Sequence, residues 1–340
     1  MKRYSWILGC VSLCLLWEAR GAIRDEALQQ VGDKVIVPQV VEFVAKAELL
    51  QRALEAWVTD GSDAKRQEAA NAWKEARLSW KRGTVSLFGP AKTLHSRARV
   101  DFSPANLSLL LRTVNGNAVL DATYVEEQLG ASQKGLGALE YFLFPSKEGD
   151  ELLQGGEAKA KRARQFAALI GENLVGHARR HAEAWKTFEP QLAKSGQEGV
   201  NQVASQVSAE LDIVMNQSFG LWIKALEGGA NARLTGIRSG HVGRDIDAVI
   251  MGVESMVNGR NGIGFDEVVK AAGSPAGKNL SEALKKVRAA VEVAEKEKGV
   301  EQVKALRTAQ ETCRVALRIV RTEWVSALGA TLLFNDNDGD

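Results

Sequence analysis

Between Val37 and Trp57 apolar residues return at a helical interval, and this periodicity constrains the fold more than any other feature. Val41, Val44, Ala45, Leu49, Leu50, Leu54 and Trp57 fall on one side of a helix, and such a stripe must be covered by other helices. Similar patterns recur over 64–81, 118–129, 158–185, 201–226, 242–257, 280–298 and 301–328. No window shows the strict alternation of a strand. Only 6 prolines interrupt 340 residues, so long helices are permitted. The predicted fold is all-α, with about nine or ten helices joined by short loops into bundles. The best internal linker is Thr187–Val200, which holds Pro190, Gly196 and Gly199. It suggests an N-terminal helical half over 22–190 and a C-terminal half over 200–340.

Charge narrows the partners. The 44 basic and 42 acidic side chains leave a formal charge of +2, which gives no footprint for nucleic acid. The first residues read as an export signal over 1–21. Lys2 and Arg3 precede the apolar run Tyr4–Trp17, which is too short to span a bilayer. Ala19-Arg-Gly21 then offers a cleavage site before Ala22, with lipid attachment at Cys10 as the alternative. No transmembrane helix is expected in the mature chain. Cys10 and Cys14 lie in the leader, so Cys313 has no disulfide partner and reads as a small buried apolar residue.

No zinc-protease helix, phosphate loop, nucleophile elbow or Cys-x-x-Cys pair is present, and no catalytic residue is assigned. The segment Lys134–Phe144 is nearly all apolar apart from Glu140. A buried carboxylate needs a cation or hydrogen bonds. Arg77 is a candidate, because Trp73 and Trp80 share its helical face and would cover its stem; a plain aromatic core stripe reads equally well. His241 and Asp245 are four apart at a helix start and could share a metal with a third ligand from elsewhere. A cap or an ion pair is the alternative. His177 and His181 are also four apart, but Arg179 and Arg180 beside them suggest a solvated basic face. His95 stands alone. Ser103-Pro104 reads as the N-cap and first residue of a helix. The tail Asn335–Asp340 looks like the start of a calcium loop, but it lacks the closing glutamate and reads as an acidic tail.

Four pieces together resemble the imelysin (peptidase M75-like) family of exported bacterial proteins. They are Ala72–Trp80, Phe88-Gly-Pro90, Lys134–Phe144 and Thr331–Asp340. The resemblance implies an all-helical fold of two bundle-like halves with a site where they meet. It also implies a periplasmic or outer-membrane-associated location and a link to iron regulation or uptake. The family signature Gly-x-His-x-x-Glu reads here Gly135-Leu-Gly137-Ala-Leu-Glu140, so the imidazole position is a glycine. The signature positions Gly135, Gly137 and Glu140 are the site residues that the resemblance implies; Arg77, Trp73 and Trp80 join them as binding candidates on the residue reading above, and His241 with Asp245 would make a different metal site. The implied cofactor is a divalent metal or iron, and the implied partners are components of a metal-uptake system. With its histidine gone, the chain is expected to be a non-enzymatic binding or accessory protein. The alternatives are an M75-type metal-dependent peptidase and a scaffold for a polysaccharide or other ligand, which exposed tryptophans in the cleft would mark.

Overall fold

Residues 21–144, 150–229, 234–260 and 262–333 are described in a computed structural model. Helices supply all their regular structure, and no strand occurs among them. The chain is already helical at residue 21 and passes through a π turn, Val31–Ile36, into α1 (Val37–Asp60). Gly61 ends α1 in the left-handed conformation, and Ser62 caps α2 (Asp63–Gly83) by accepting from the Lys65 N–H at 3.3 Å. This is the turn that Asp60-Gly-Ser-Asp63 implies.

Four short helices follow: α3 (Ser96–Asp101), α4 (Leu107–Asn115), α5 (Ala122–Gln128) and α6 (Gly135–Leu143). Next come the long α7 (Glu157–Leu192), α8 (Gln197–Ile213) and α9 (Gly220–Leu226). The chain closes with α10 (Val242–Asn258), α11 (Phe265–Ala271), α12 (Ala276–Lys296) and α13 (Gly299–Ile319). The all-α class holds. The thirteen α-helices of six residues or more among the described residues exceed the expected nine or ten, because α3 is too short for periodicity to register and a π turn, Val214–Phe219, divides the stretch 201–226 into α8 and α9. Asn106, not Ser103, caps α4; its side chain accepts from the Leu109 N–H at 3.2 Å. The linker is also shorter than expected. Helix α7 runs through Pro190 to a buried Leu192, and α8 starts at Gln197.

Two apolar cores form. One gathers Phe43, Trp57, Trp73, Trp80, Leu139 and Phe166, and extends along α7 as far as Ala178. The other takes Ala27 to Val40, then α7 from Ala182 onward, and most of α8 to α13. Helices α1 and α7 thus run through both. Helix α2 packs against α1, α6 and α10 together, which sets one of its faces between the two cores. Residues 1–20, with Cys10 and Cys14 and all but the last residue of the expected leader 1–21, and the tail 334–340 lie outside the described residues. No described helix is long and apolar enough to cross a membrane.

Candidate functional site: a buried charge network

Trp73, Arg77 and Trp80 share one face of α2, and each is at most 2% exposed. The Trp73 indole N–H donates to the Leu136 carbonyl at 2.9 Å, and its ring meets Phe144 edge-on at 5.0 Å. The Arg77 guanidinium carbon lies 5.2 Å from the same ring. Trp80 packs on Phe43 and His181. The aromatic stripe is therefore core, and the arginine within it is fully buried.

Arg77 ties three elements together. Its Nη1 donates to Asp101 Oδ1 of α3 at 2.9 Å, and its Nε to Asp245 Oδ2 of α10 at 2.7 Å. Nη2 donates to the Thr235 carbonyl at 3.2 Å. Lys81, one turn along, pairs with the other Asp101 oxygen at 2.7 Å. Burial opposes both charges, but the pairing outweighs it. Asp101 is held down to about 2 by Arg77 and Lys81. Arg77 is driven above its ordinary value by Asp101, Asp245 and Glu140.

Glu140 is 2% exposed, and the structure corrects its expected partner. Arg77 contributes its field, but the hydrogen bonds come from the turn at 235–240. The Gly236 N–H lies 3.0 Å from both carboxylate oxygens. The Ser239 N–H and hydroxyl reach Oε1 at 3.0 and 2.8 Å. Backbone N–H groups converging on one carboxylate form an anion nest. Gly236 and Gly240 make the turn possible, with φ of 101° and 66°. The turn is pinned from outside: Thr235 bonds the Ser103 hydroxyl through its N–H and Oγ1, and the Arg238 guanidinium sits 4.1 Å over the Tyr141 ring.

Gly135 and Gly137 serve through their size. Gly135 has φ +72°, and a Cβ there would lie 2.3 Å from the Val100 carbonyl oxygen. A Cβ on Gly137 would lie 2.7 Å from the Phe102 carbonyl oxygen and 3.2 Å from Thr235 Oγ1. Position 137 is thus packed against backbone.

The expected metal pair is close but does not form a site. His241 Nδ1 and Asp245 Oδ1 are 3.8 Å apart, and both atoms are buried without a hydrogen-bond partner. Asp245's other oxygen is held by Arg77, whose positive charge opposes a cation there. Among the described residues no three His, Cys, Asp or Glu side chains are grouped to hold an ion. Glu140's oxygens already accept N–H and O–H donors. Two donors beside a guanidinium do not fit a transition metal, which needs three or four ligands. A cavity of about 30 Å³ lies at this meeting point beside Arg77, Lys81, Arg97, Glu210 and Asp245, enough for a water or two.

His177 and His181 do face one side of α7, but that side is interior: they are 6% and 2% exposed. Arg179 and Arg180 occupy the wet face in their place. Ser86 gives its proton to the Gly83 carbonyl at 2.7 Å, so its oxygen accepts from His181 Nε2–H at 3.2 Å. Ser96 then donates to Nδ1 at 3.0 Å. The ring is neutral, and burial pushes it down to about 4. Cys313 is buried, and its thiol is pushed up to about 12 by burial and by Asp212, as befits an inert core residue. The six described tryptophans are all core, so none of them offers a stacking face to a polysaccharide.

The comparisons agree with this architecture. The family model described as Imelysin (Peptidase_M75) matches residues 36–319. "Iron-regulated protein A" of Synechococcus elongatus is 30% identical over 197 residues, 57% of this chain; the chain spans about half the length of that curated relative. An imelysin-like protein from Psychrobacter arcticum 273-4 superposes with TM-score 0.73 at 15% identity, covering 92% of this chain and 98% of that one. A protein described as an iron-regulated protein A precursor, from Parabacteroides distasonis, gives 0.69 at 15% identity over 89% and 95% of the two chains. These two likenesses establish the fold.

Proposed function

This chain belongs to the imelysin family, and from that premise we propose that it is an exported, non-enzymatic accessory or binding component of iron or other metal uptake. The observation that carries the proposal is the state of Glu140. The acid of the family signature is committed to Gly236 and Ser239, and the neighbouring imidazole position is Gly137. The printed names of two relatives supply the iron context. A metal-dependent peptidase would need three protein ligands and a bound water, and this cluster offers two donors and an arginine. The role outside the cytoplasm rests on the leader read in residues 1–21.

Elemental analysis of untagged protein, with calorimetry against iron, zinc and copper, tests the proposal. No stoichiometric ion is expected at Glu140. Chelator-sensitive peptide cleavage would sink the non-enzymatic reading, and an ion that leaves with Glu140→Gln would overturn the commitment of this acid to Gly236 and Ser239.

Gly137→His makes a sharper check. It should lower stability by about 1–3 kcal/mol, the usual cost of overpacking, because the new Cβ meets the Phe102 carbonyl. It should also gain no metal. A variant of unchanged melting temperature that bound one ion per chain would show that the turn yields readily, and the closed-site reading would fail.

A further inference from the structure

A second cavity lies away from Glu140, where the turn Pro90–Thr93, α3, α5 and α7 come together. It has a volume of about 180 Å³, and its lining includes Thr93, Ser96, Arg99, Glu126, His177 and Arg180. That is room for about six waters at ~30 Å³ each, or for a small organic acid or phosphate.

Its polar groups are held in place from behind. The half-buried amide of Asn173 donates to Glu126 Oε2 at 2.6 Å. His177 is 5% exposed and lies 3.2 Å from the same oxygen through Nε2, so that nitrogen carries the proton. Its Nδ1 accepts from Arg180 Nη2 at 2.8 Å. Burial first, and the Arg180 charge second, push His177 down to about 4, against the pull of Glu126. The imidazole is neutral at physiological pH and acts as a spacer. Lys134 donates from beneath to the Glu126 carbonyl at 3.0 Å.

The charges do not balance. In the lining, Arg99 and Arg180 carry two positive charges against one on Glu126, and Lys134, outside the lining, adds a third from behind. The two guanidinium groups are 42% and 53% exposed. Arg99 reaches Glu126 only through Nη1 at 3.3 Å, and Arg180 approaches it at 3.6 Å. Each guanidinium therefore keeps most of its five donors free of the described residues. Paired forks of this kind bind carboxylate and phosphate oxygens two at a time.

We propose that this cleft binds a small dianionic oxyanion, a dicarboxylate or a phosphate group, between Arg99 and Arg180. Glu126 sets the forks and disfavours a more highly charged ligand. The inference does not depend on the metal-uptake reading, since none of its residues belongs to the Glu140 network.

Calorimetry at low ionic strength and pH 7 is the test, with succinate and inorganic phosphate as probes and acetate as the monovalent control. At least one dianion should bind with a submillimolar dissociation constant, about tenfold or more tighter than acetate. Whichever binds tighter identifies the source chemistry. Arg99→Gln and Arg180→Gln should each weaken it about tenfold. Glu126→Gln should strengthen it severalfold by removing the competing carboxylate. Both arginines are half exposed, so the variants should melt with the parent. No saturable heat with either dianion up to about 10 mM would overturn the proposal. So would unchanged affinity in Arg99→Gln, or weaker binding in Glu126→Gln.

Discussion

Arg77→Met should remove about 3–5 kcal/mol of stability, the usual consequence of stripping the partner from a buried ion pair. The methionine fills much of the stem volume between Trp73 and Trp80, so packing is not the main loss. The loss lies in what remains. Asp245 keeps one oxygen that already lacks a partner and loses the hydrogen bonds to the other. Asp101 keeps only Lys81. The Thr235 carbonyl loses its donor, which loosens the turn that holds Glu140. Urea denaturation reads the difference. The double variant Arg77→Met, Asp245→Leu should recover part of it, since an apolar pair can replace a buried ionic one at little cost. A single variant that costs less than about 1 kcal/mol would mean that water enters freely and that the network is not a buried one.

Acid should weaken the fold through His181. Its ordinary value is 6.5, and in the native state it is held at about 4. The unfolded chain therefore binds the extra proton first. This contribution is fully present above pH 6.5 and is lost as pH falls towards 4. For a ring so deeply buried the loss approaches ~3 kcal/mol. His177, lowered to about 4 as well, adds in the same window. Asp101 adds below it, between pH 3.8 and about 2. Glu254 and Glu295, held above their ordinary value by burial, work in the opposite direction. The cleanest measurement is the difference between the parent and His181→Asn across pH 4 to 7. The variant should start lower at pH 7 and show a shallower slope. Equal slopes would mean that the ring binds its proton as readily in the native state as in the unfolded chain.

Much of the fold was legible in the sequence. The long helices follow from apolar spacing, and the capped turn at 60–63 follows from its composition. Of the short helices, α5 was foreshadowed by the pattern over 118–129, whereas α3 was not legible, because its six residues carry too few apolar positions for a period. Arg77 could be singled out because an arginine between two tryptophans is conspicuous on a helical wheel. Its true partners could not. Asp101 and Asp245 lie 24 and 168 residues away, and nothing local marks them. The nest around Glu140 had a faint signal in Thr235-Gly-Ile-Arg-Ser-Gly240, where two glycines bracket a serine. Ser103 was misread as a helix cap because Ser-Pro ahead of an apolar run has that form, while its hydroxyl is used across the chain by Thr235. The histidine pair on α7 misled for a related reason. Flanking arginines describe only one side of a helix, and the rings point to the other.

Helices α1 and α7 each begin in one core and end in the other. A protein sewn together in this way offers no seam for excision. A fragment ending near residue 190 would carry the apolar face of Ala27–Val40 with nothing to cover it, and the remainder would lack both the first strip of its interior and the end of α7. Neither piece should survive as a folded product of limited proteolysis. Any motion that serves a partner then has to come from small segments such as the 235–240 turn, since two halves that share their longest struts cannot swing apart.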